Sequence, residues 1–408
     1  MICPSSRAGA LRQLEEFIPF AGLYARDRNH VRPGHAGVSR LSPAIRHRLI
    51  TEAEVTAAVL RAHSFGRVEK FVQEVYWRRY WKSWLSLRPE VWDRYLADLE
   101  EERNPALAEE IEGGNSGNAV IDHFARELVE TGYLHNHSRM WLAAWWVHEA
   151  RLSWQSGAAF FFRHLLDADP ASNTLSWRWV AGWQTLGKTY LARRSNLEKY
   201  LDPDVLAGLA DGLPAFENPR ELSPGPITKV PITKPEVEQE IPDPGLKTGL
   251  WIHEEDLSVE TSHLKSKDFS NIVVTADVEN WERLSLPTNK RKWISGALAD
   301  AAKRAGEAWN VPVMWESQAR QHQALREWAV AGNLQQVVAM RPEVGPLMDS
   351  LEATRAALHE KGIRLVLVDR EEDLRIRPFA TAGFFPFWER TLELLKKELP
   401  EPEKSASC

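Results

Sequence analysis

The stretch from Thr131 to Trp183 constrains the fold of this chain more than any other, because it sets charged and amide side chains among tryptophans at helical spacing. Within it, Asn136, Arg139 and Met140 stand at positions i, i+3 and i+4. Residues at this spacing share one face of an α-helix. The pattern therefore predicts a helix with an amide, a guanidinium and a thioether on one face.

A second polar face follows in the same stretch. Asp169, Asn173 and Trp177 recur in steps of four residues, and Asp167 lies two residues before the first of them. Buried polar groups need hydrogen-bond partners. Because these carboxylates and amides outnumber the partners that we expect them to find among themselves, we predict that they hold a large polar aromatic ligand.

Composition excludes several classes of protein. The two cysteines, Cys3 and Cys408, stand at opposite ends of the 408 residues, which argues against a disulfide framework and a four-cysteine iron–sulfur cluster. They fit a reducing compartment, so we expect a cytoplasmic protein. We also expect a monomer. The sequence predicts neither a membrane span nor a signal peptide. The net charge of −6 does not itself indicate nucleic acid, although the loop 25–37 is basic.

The chain divides into three segments. Helical periodicity dominates residues 1–211, for which we predict an all-helical domain. Residues 212–247 are rich in proline without sustained periodicity, which is typical of a linker. In residues 248–408, β-rich runs alternate with helical ones, which predicts an α/β domain with a parallel sheet.

The predicted elements of these segments are as follows. Helices are expected over 11–24 and 66–100 in the first segment, and over 289–308, 318–331 and 345–361 in the last. The predicted strands are Leu250–Ile252, Ile272–Ala276, Val311–Trp315, Val337–Met340 and Leu365–Val368. The turn after the first strand, HEEDLS, has no glycine-rich phosphate loop, so we expect no dinucleotide site there.

Several motifs resemble a known family. HNHSRM at 135–140 and LLDADPASNTLSWRW at 165–179, with Trp154 between them, closely resemble the flavin-binding core of DNA photolyases and cryptochromes. GVSRLSP at 37–43 and FVQEVYWRRYW at 71–81 agree with this, so that the resemblance covers most of residues 11–205. It implies an all-helical, photolyase-type FAD-binding domain.

The last segment is weakly similar to the antenna domain of the same family. WIHEEDL resembles the first strand and turn of that domain, and FATAGFFPFWERTL at 379–392 resembles the segment that follows it. The resemblance implies that the α/β domain here follows the FAD-binding domain instead of preceding it. The sequence does not identify an antenna pigment.

The resemblance implies FAD as the cofactor, and no metal. The residues that match the family's cofactor contacts are Tyr24, Ser39, Arg40, Leu41, Ser42, Arg78, Asn136, Arg139, Asp167, Asp169 and Asn173. Ser42 also precedes Pro43 at a predicted helix start, where serine commonly serves as the N-cap. Three positions depart from the family's usual residues: Val38 replaces Thr, Arg79 replaces Glu and His137 replaces Arg.

Catalytic roles are also implied by the resemblance. Trp177 corresponds to the tryptophan nearest the flavin, Trp154 to the next one, and Asn173 to the residue facing the central ring nitrogen. A third tryptophan usually precedes the turn at 113–118, but none stands between Trp92 and Trp141. An electron exit through Trp141, Trp145, Trp146 or Trp81 remains open.

The function implied is light-driven splitting of cyclobutane pyrimidine dimers, with UV-damaged DNA as the partner. Glu74 is assigned a catalytic role at the lesion, and the residues expected to bind DNA are Arg28, Glu74, Trp77, Met140 and Trp179. Asn136 stands where enzymes acting on (6-4) lesions carry a second histidine, which favours the cyclobutane class.

Two alternatives stay open. Leu175 and Ser176 replace the Gly–Gly that the family often shows, which would suit a non-repairing, cryptochrome-like blue-light receptor. The other alternative is a helical scaffold with a tryptophan-rich core and no ligand.

Overall fold

The computed structural model describes residues 3–100, 102, 104–185, 187–224, 228–233 and 239–398. The first part of the chain is helical. Its α-helices are α1 (Arg7–Phe17), α2 (Tyr24–Asp27), α3 (Ser42–Arg46), α4 (Glu52–Ala62), α5 (Phe65–Ser86), α6 (Glu90–Ala97), α7 (Pro105–Glu112), α8 (Ala119–Thr131), α9 (Asn136–His148), α10 (Trp154–His164), α11 (Pro170–Val180), α12 (Arg194–Tyr200) and α13 (Pro203–Gly208).

Strands and helices alternate in the remainder. Its elements are β1 (Thr248–Ile252), β2 (Asn271–Thr275), α14 (Val278–Arg283), α15 (Thr288–Trp309), β3 (Val313–Glu316), α16 (Gln321–Ala331), β4 (Gln336–Met340), α17 (Pro346–Asp349), α18 (Leu351–His359), β5 (Arg364–Val368), α19 (Glu371–Ile376) and α20 (Phe384–Glu398). Short 3₁₀ helices cover Ile18–Leu23, Pro33–His35, Asp98–Glu100, Ala210–Phe216, Val259–Thr261, His263–Ser266 and Arg377–Phe379. The predicted α plus α/β fold class is confirmed.

Side-chain caps and a glycine define the ends of α4 and α8. α4 begins with a capping box, in which Thr51 and Glu54 satisfy each other's backbone N–H groups. Asn118 caps α8, and Gly132 ends that helix with φ of 70°, a conformation that glycine adopts at little cost. Among the described residues, no helix is long and apolar enough to cross a bilayer.

The five strands form one parallel sheet in the order β3-β2-β1-β4-β5. Leu250 pairs with Ile272 on one side and with Val338 on the other, which fixes the register of the central strand. Trp251 and Val337 lie in the hydrophobic core beside the sheet. This is the order of a doubly wound sheet, in which the direction of strand addition reverses at β1. Doubly wound sheets commonly bind ligands beside the carboxyl ends of the strands at that point.

The described residues form two compact units. The helical unit comprises the described parts of 23–40 and 89–231, and the sheet unit those of 3–22, 41–88 and 232–408. Helices α1, α3, α4 and α5 therefore belong with the sheet, whose first strand begins at Thr248. The segment boundaries at 211 and 248 stay predictions.

Hydrogen bonds explain why the first helix joins the sheet unit. The backbone N–H of Arg7 donates to the Asp300 carboxylate of α15 at 3.0 Å. The Trp293 indole of the same helix donates to the Cys3 carbonyl, also at 3.0 Å.

A buried cluster of ion pairs joins α5 and the turn after α3 to the carboxyl edge of the sheet. Asp373 lies 2.6 Å from both Arg48 and Arg79, measured between carboxylate oxygen and guanidinium nitrogen. Arg48 also pairs with Asp256, which follows β1 and in turn binds Arg370 at 2.6 Å. We call these five residues the arginine–aspartate cluster. Within the cluster, the buried Arg79 guanidinium has the Asp373 carboxylate as its nearest partner.

Charges in the cluster hold each other ionised. Burial alone would raise the pKa of Asp373, but Arg48 and Arg79 outweigh it and lower that pKa to about 2. A carboxyl group with a lowered pKa stabilises the fold fully at pH values above its ordinary pKa, which is about 4 for aspartate. This contribution is lost as the pH falls from about 4 toward 2.

Replacing Asp373 by Asn leaves two buried guanidinium groups without their shared counter-charge. We expect the free energy of unfolding to fall by about 3–5 kcal/mol at pH 7, because breaking a buried ion pair strands its partners. Denaturant titration of the full chain measures this, and the deficit of D373N should shrink between about pH 4 and pH 2.

The matched control is Glu371→Gln, since the Glu371 side chain on the same helix is exposed. Equal stabilities of D373N and E371Q at pH 7 would contradict the assigned importance of the cluster.

Candidate functional site

In the helical unit, an ion pair ties the start of α9 to the loop before α11. The Arg139 guanidinium contacts the two Asp167 oxygens at 3.1 and 3.0 Å, and its Nε donates to the Leu134 carbonyl at 2.8 Å. The Asp167 side chain is buried, whereas Arg139 keeps about a fifth of its side chain exposed. The guanidinium is therefore held in place by protein groups and still reachable.

The second polar face is built on α11. The Asp169 carboxylate caps that helix by accepting from the Ser172 N–H at 2.9 Å, and Pro170 occupies the first turn. The Asn173 amide donates to the Ala158 carbonyl of α10 at 2.7 Å. Asp169, Asn173 and Trp177 are all buried, as their spacing predicts.

These contacts correct one expectation from the sequence. We expected the polar side chains to outnumber their protein partners, yet Asp167 pairs with Arg139, Asp169 caps its own helix and Asn173 bonds to α10. The error arose because the reach of a long arginine and the role of a helix cap are not visible from spacing alone. The ligand prediction therefore needs other support.

That support comes from buried polar atoms on the same two helices. The Ser138 hydroxyl of α9, and the Ser172 hydroxyl and Trp177 indole nitrogen of α11, have no hydrogen-bond partner within the described part of the chain. Leaving such a group unsatisfied costs about 1–3 kcal/mol. Water or a bound polar ligand would relieve this cost.

Trp177 is packed tightly among aromatic rings. Its ring lies edge-on to Phe161, with centroids 4.9 Å apart, and edge-on to Trp146 at 6.2 Å. A Cβ at Gly157 would overlap the Trp177 ring and lie 3.0 Å from the Trp146 nitrogen. Gly157 is therefore the residue that lets α10 and α11 approach closely.

Trp154, at the start of α10, has a different aromatic neighbour. Its ring stacks on Tyr95 with centroids 5.7 Å apart and planes at 29°, and Tyr95 lies 5.2 Å from Trp92. Tyr95 therefore links the Trp154 ring to the Trp92 ring of α6. Neither Tyr95 nor Trp92 was among the predicted routes by which an electron could leave Trp154.

The histidines of the HNHSRM motif stay neutral. Burial, and next the neighbouring His137, lower the pKa of His135 to about 3. Burial also lowers the pKa of His137. Within the described ranges, no group of three or more His, Cys, Asp or Glu side chains is placed to hold a metal ion.

Four of the predicted cofactor and DNA residues lie on α2 and in the loop between α2 and α3, namely Tyr24, Arg28, Ser39 and Arg40. The Arg28 guanidinium sits over the Tyr24 ring at 5.8 Å. Arg40 has φ of 54°, in the left-handed region, and Ser39 beside it is partly exposed. These residues belong to the helical unit, and their proposed contacts with cofactor or DNA stay predictions.

The remaining cofactor residues lie in the sheet unit. Leu41 is buried, and α3 begins at Ser42 itself, with no side-chain cap. Ser42 as the N-cap is therefore wrong; Leu41 takes the flanking position because Arg40 turns the chain one residue earlier. Arg78 lies partly buried on α5.

Of the residues expected at DNA, two lie on α5. Glu74 pairs with Lys70 at 3.2 Å and is a quarter exposed. Trp77 stacks on Phe384 of α20, with ring centroids 3.8 Å apart and planes at 8°. One face of the Trp77 ring is thus covered by the protein itself.

The other three, Arg28, Met140 and Trp179, lie in the helical unit. The Met140 sulfur accepts from the Asn136 amide at 3.6 Å, which confirms that these two residues share a face of α9. The Trp179 ring stacks on Tyr190 with centroids 5.6 Å apart.

Sequence reasoning missed Gly157, Tyr95 and Phe384. A glycine inside a helical pattern signals close approach of another element, so Gly157 was open to recognition. Tyr95 and Phe384 gave no such signal, because Trp154 and Trp77, on which they stack, lie far away in sequence.

Comparison with known proteins agrees with the motifs. Residues 71–204 match the family model described as the FAD binding domain of DNA photolyase. A deoxyribodipyrimidine photo-lyase of Synechococcus sp. is 30% identical over 184 residues, covering 42% of this chain and 38% of that protein. One from Streptomyces griseus is 33% identical over 151 residues, covering 36% and 32%.

A solved structure is also similar. The bacterial class III photolyase from Agrobacterium tumefaciens has 26% sequence identity and a TM-score of 0.42, over 52% of this chain and 44% of that chain. The chain thus spans less than half the length of these proteins.

Replacing Gly157 by Ala tests the packing of Trp177. The added methyl overlaps that ring, so α10 or Trp177 must shift, and we expect the free energy of unfolding to fall by about 1–3 kcal/mol. Gly66→Ala is the control, because a Cβ at this helical glycine of α5 meets no atom within 4 Å. If G157A is as stable as G66A in denaturant titration, the close approach does not exist.

Proposed function

Because residues 71–204 match the FAD binding domain of DNA photolyase, we propose that this chain binds FAD and splits cyclobutane pyrimidine dimers in DNA under blue light. The observation that carries the proposal is the placement of Arg139, Asp167, Asp169 and Asn173 on α9, α11 and the loop between α10 and α11, next to a buried Trp177. These residue types occur in the order and spacing of the family's motifs.

The helical unit fits such a cofactor chemically. FAD carries phosphates, ribityl hydroxyls and a ring with both donors and acceptors. Arg139 offers a partly exposed guanidinium, and the Ser138, Ser172 and Trp177 polar atoms lack partners in the part of the chain that the structure describes. When bound in its reduced form, FAD would supply the light-driven electron donation that dimer splitting requires.

The chain's own residues would bind and orient this group. In the proposal, Asn136 and Arg139 hold phosphate and ring oxygens, while Asp167 and Asp169 accept from N–H and O–H donors. Asn173, whose amide donates to the Ala158 carbonyl, would place an uncharged group beside the ring, and such a group tolerates an anionic reduced ring better than a carboxylate does. Since Arg139 is anchored by Asp167 and Leu134, little ordering is left to be done on binding.

Electron supply is assigned to Trp177 and Trp154. Trp177 is 2% exposed and its neighbours Phe161 and Trp146 are aromatic, so its ring is shielded from water. Trp154 lies on the same helix as Gly157, whose lack of a side chain admits the Trp177 ring. The site needs no general base, and a His135 with a pKa of about 3 is suited to staying neutral.

A second candidate function is a non-repairing, cryptochrome-like blue-light receptor that holds the same cofactor. Two observations favour it. Leu175, which stands where the family often has glycine, is fully buried within α11. Trp77, which would stack on the lesion, already has one ring face covered by Phe384.

Repair of defined DNA separates these two functions. The purified chain, with its flavin chemically reduced, is mixed with oligonucleotides that contain one cyclobutane thymine dimer, in single- and double-stranded form. Under blue light we expect loss of the dimer, and in the dark none. Persistence of the dimer in both DNAs, with reduced flavin bound, would rule out repair and leave the receptor.

Replacing Arg139 by Gln tests the cofactor site. The substitution removes a charge-assisted contact, so we expect FAD to bind about 10- to 100-fold more weakly and the purified variant to carry less flavin. The ratio of flavin to protein absorbance measures this. Arg163→Gln is the control, because Arg163 forms a comparable ion pair with Glu112 in the same unit.

Circular dichroism of both variants establishes that they are folded. An R139Q protein that retains as much flavin as R163Q would remove Arg139 from the site.

A further inference from the structure

We propose that the Phe384 ring occupies the face of Trp77 on which a nucleic-acid base stacks, so that this ring must leave before damaged DNA can be engaged. The inference rests on the proposed function, since Trp77 is assigned to the lesion there. It adds an internal competitor, supplied by α20, that regulates access to the stacking face.

The geometry of the pair is that of stacked bases. Aromatic side chains in proteins usually meet offset or edge-on, with centroids about 4.5–7 Å apart. Trp77 and Phe384 are nearly parallel, at 8°, with centroids only 3.8 Å apart. The other rings near Trp77 are inclined to it, Trp81 at 40° and Tyr80 at 85°. Phe384 alone among these three therefore mimics a stacked base.

The backbone around Phe384 is fixed, which points to the side chain as the moving part. Just before α20, the Ala382 carbonyl accepts from the Tyr80 hydroxyl at 2.8 Å, and the Thr381 carbonyl accepts from Arg88 at 2.9 Å. One turn further on, Trp388 is buried against Tyr76, with centroids 5.9 Å apart. Movement of the buried Phe384 side chain would therefore uncover the Trp77 face while these contacts hold the helix in place.

The neighbouring polar group is already accessible. Glu74 lies three residues before Trp77 on α5, its side chain a quarter exposed. The carboxylate assigned to the pyrimidine edge is thus reachable while the stacking face is closed. This combination predicts weak contact with DNA in general and tight binding only when a base displaces Phe384.

Phe384→Ala leaves the Trp77 face uncovered and tests the inference. Binding of an oligonucleotide with one cyclobutane dimer, and of the same undamaged oligonucleotide, is measured by fluorescence anisotropy on the full chain. We expect F384A to bind damaged DNA roughly ten-fold more tightly than the parent, since displacement of a buried Phe no longer opposes binding. Binding of undamaged DNA should change far less.

Two further variants make the result specific. Phe385→Ala is the matched control, because the adjacent Phe385 is 64% exposed and should leave both affinities unchanged. The double variant F384A/W77A should lose the gain, because the base then has no ring to stack on. Phe384→Leu removes the ring while keeping an apolar side chain, and serves in place of F384A if that variant fails to fold.

A spectroscopic signal reports the stack directly. In protein labelled with 5-fluorotryptophan, the ¹⁹F resonance of Trp77 is identified by its loss in W77F. This resonance should shift in F384A but not in F385A. In the parent it should shift when dimer-containing DNA is added.

The inference and the proposed function fail separately. Repair by the parent, with no tighter binding of damaged DNA by F384A or F384L, overturns the competitor and leaves repair standing. Tighter, Trp77-dependent binding by F384A without any repair in light upholds the competitor and overturns repair. If no variant binds damaged DNA, the hypothesis that Phe384 competes with a base for the Trp77 face is also rejected.

Discussion

The shared contact of Arg48 and Arg79 with Asp373 is the interaction on which the sheet unit depends. It places α5 and the turn after α3 at the carboxyl edge of the parallel sheet, where Asp256 and Arg370 extend the cluster. That edge is where doubly wound sheets commonly bind ligands. Here buried ion pairs occupy it and fix the helix that carries Trp77, because Arg79 lies two residues beyond Trp77 on that helix.

In the helical unit, the same residues build the fold and the proposed site. Asp169 begins α11 and also presents a carboxylate, while Arg139 ties α9 to Asp167 and keeps its guanidinium partly exposed. Gly157 brings α10 against the Trp177 ring. A cofactor would thus meet groups already held by caps, an ion pair and close packing, which reduces the entropy cost of ordering them on binding.

Much of this was predictable from local pattern. Helical and β-rich periodicity predicted the alternation of elements after residue 248, and i, i+4 spacing predicted the shared faces of α9 and α11. The partners of Arg79 and Trp77 were not predictable, because Asp373 and Phe384 lie hundreds of residues away and long-range contacts leave no periodic signal. The prediction that Asp167 lacks a protein partner was wrong for the same reason, because Arg139 reaches Asp167 only in the folded chain.

The central claim is that this chain is a flavoprotein, and the flavin content of the purified full chain tests it most directly. The protein is denatured, and the released cofactor is identified by chromatography and quantified against protein by absorbance. The account predicts FAD in close to equimolar amount, or its stoichiometric uptake when FAD is added to protein that has lost it. A folded chain that releases no FAD and takes up none would contradict the account.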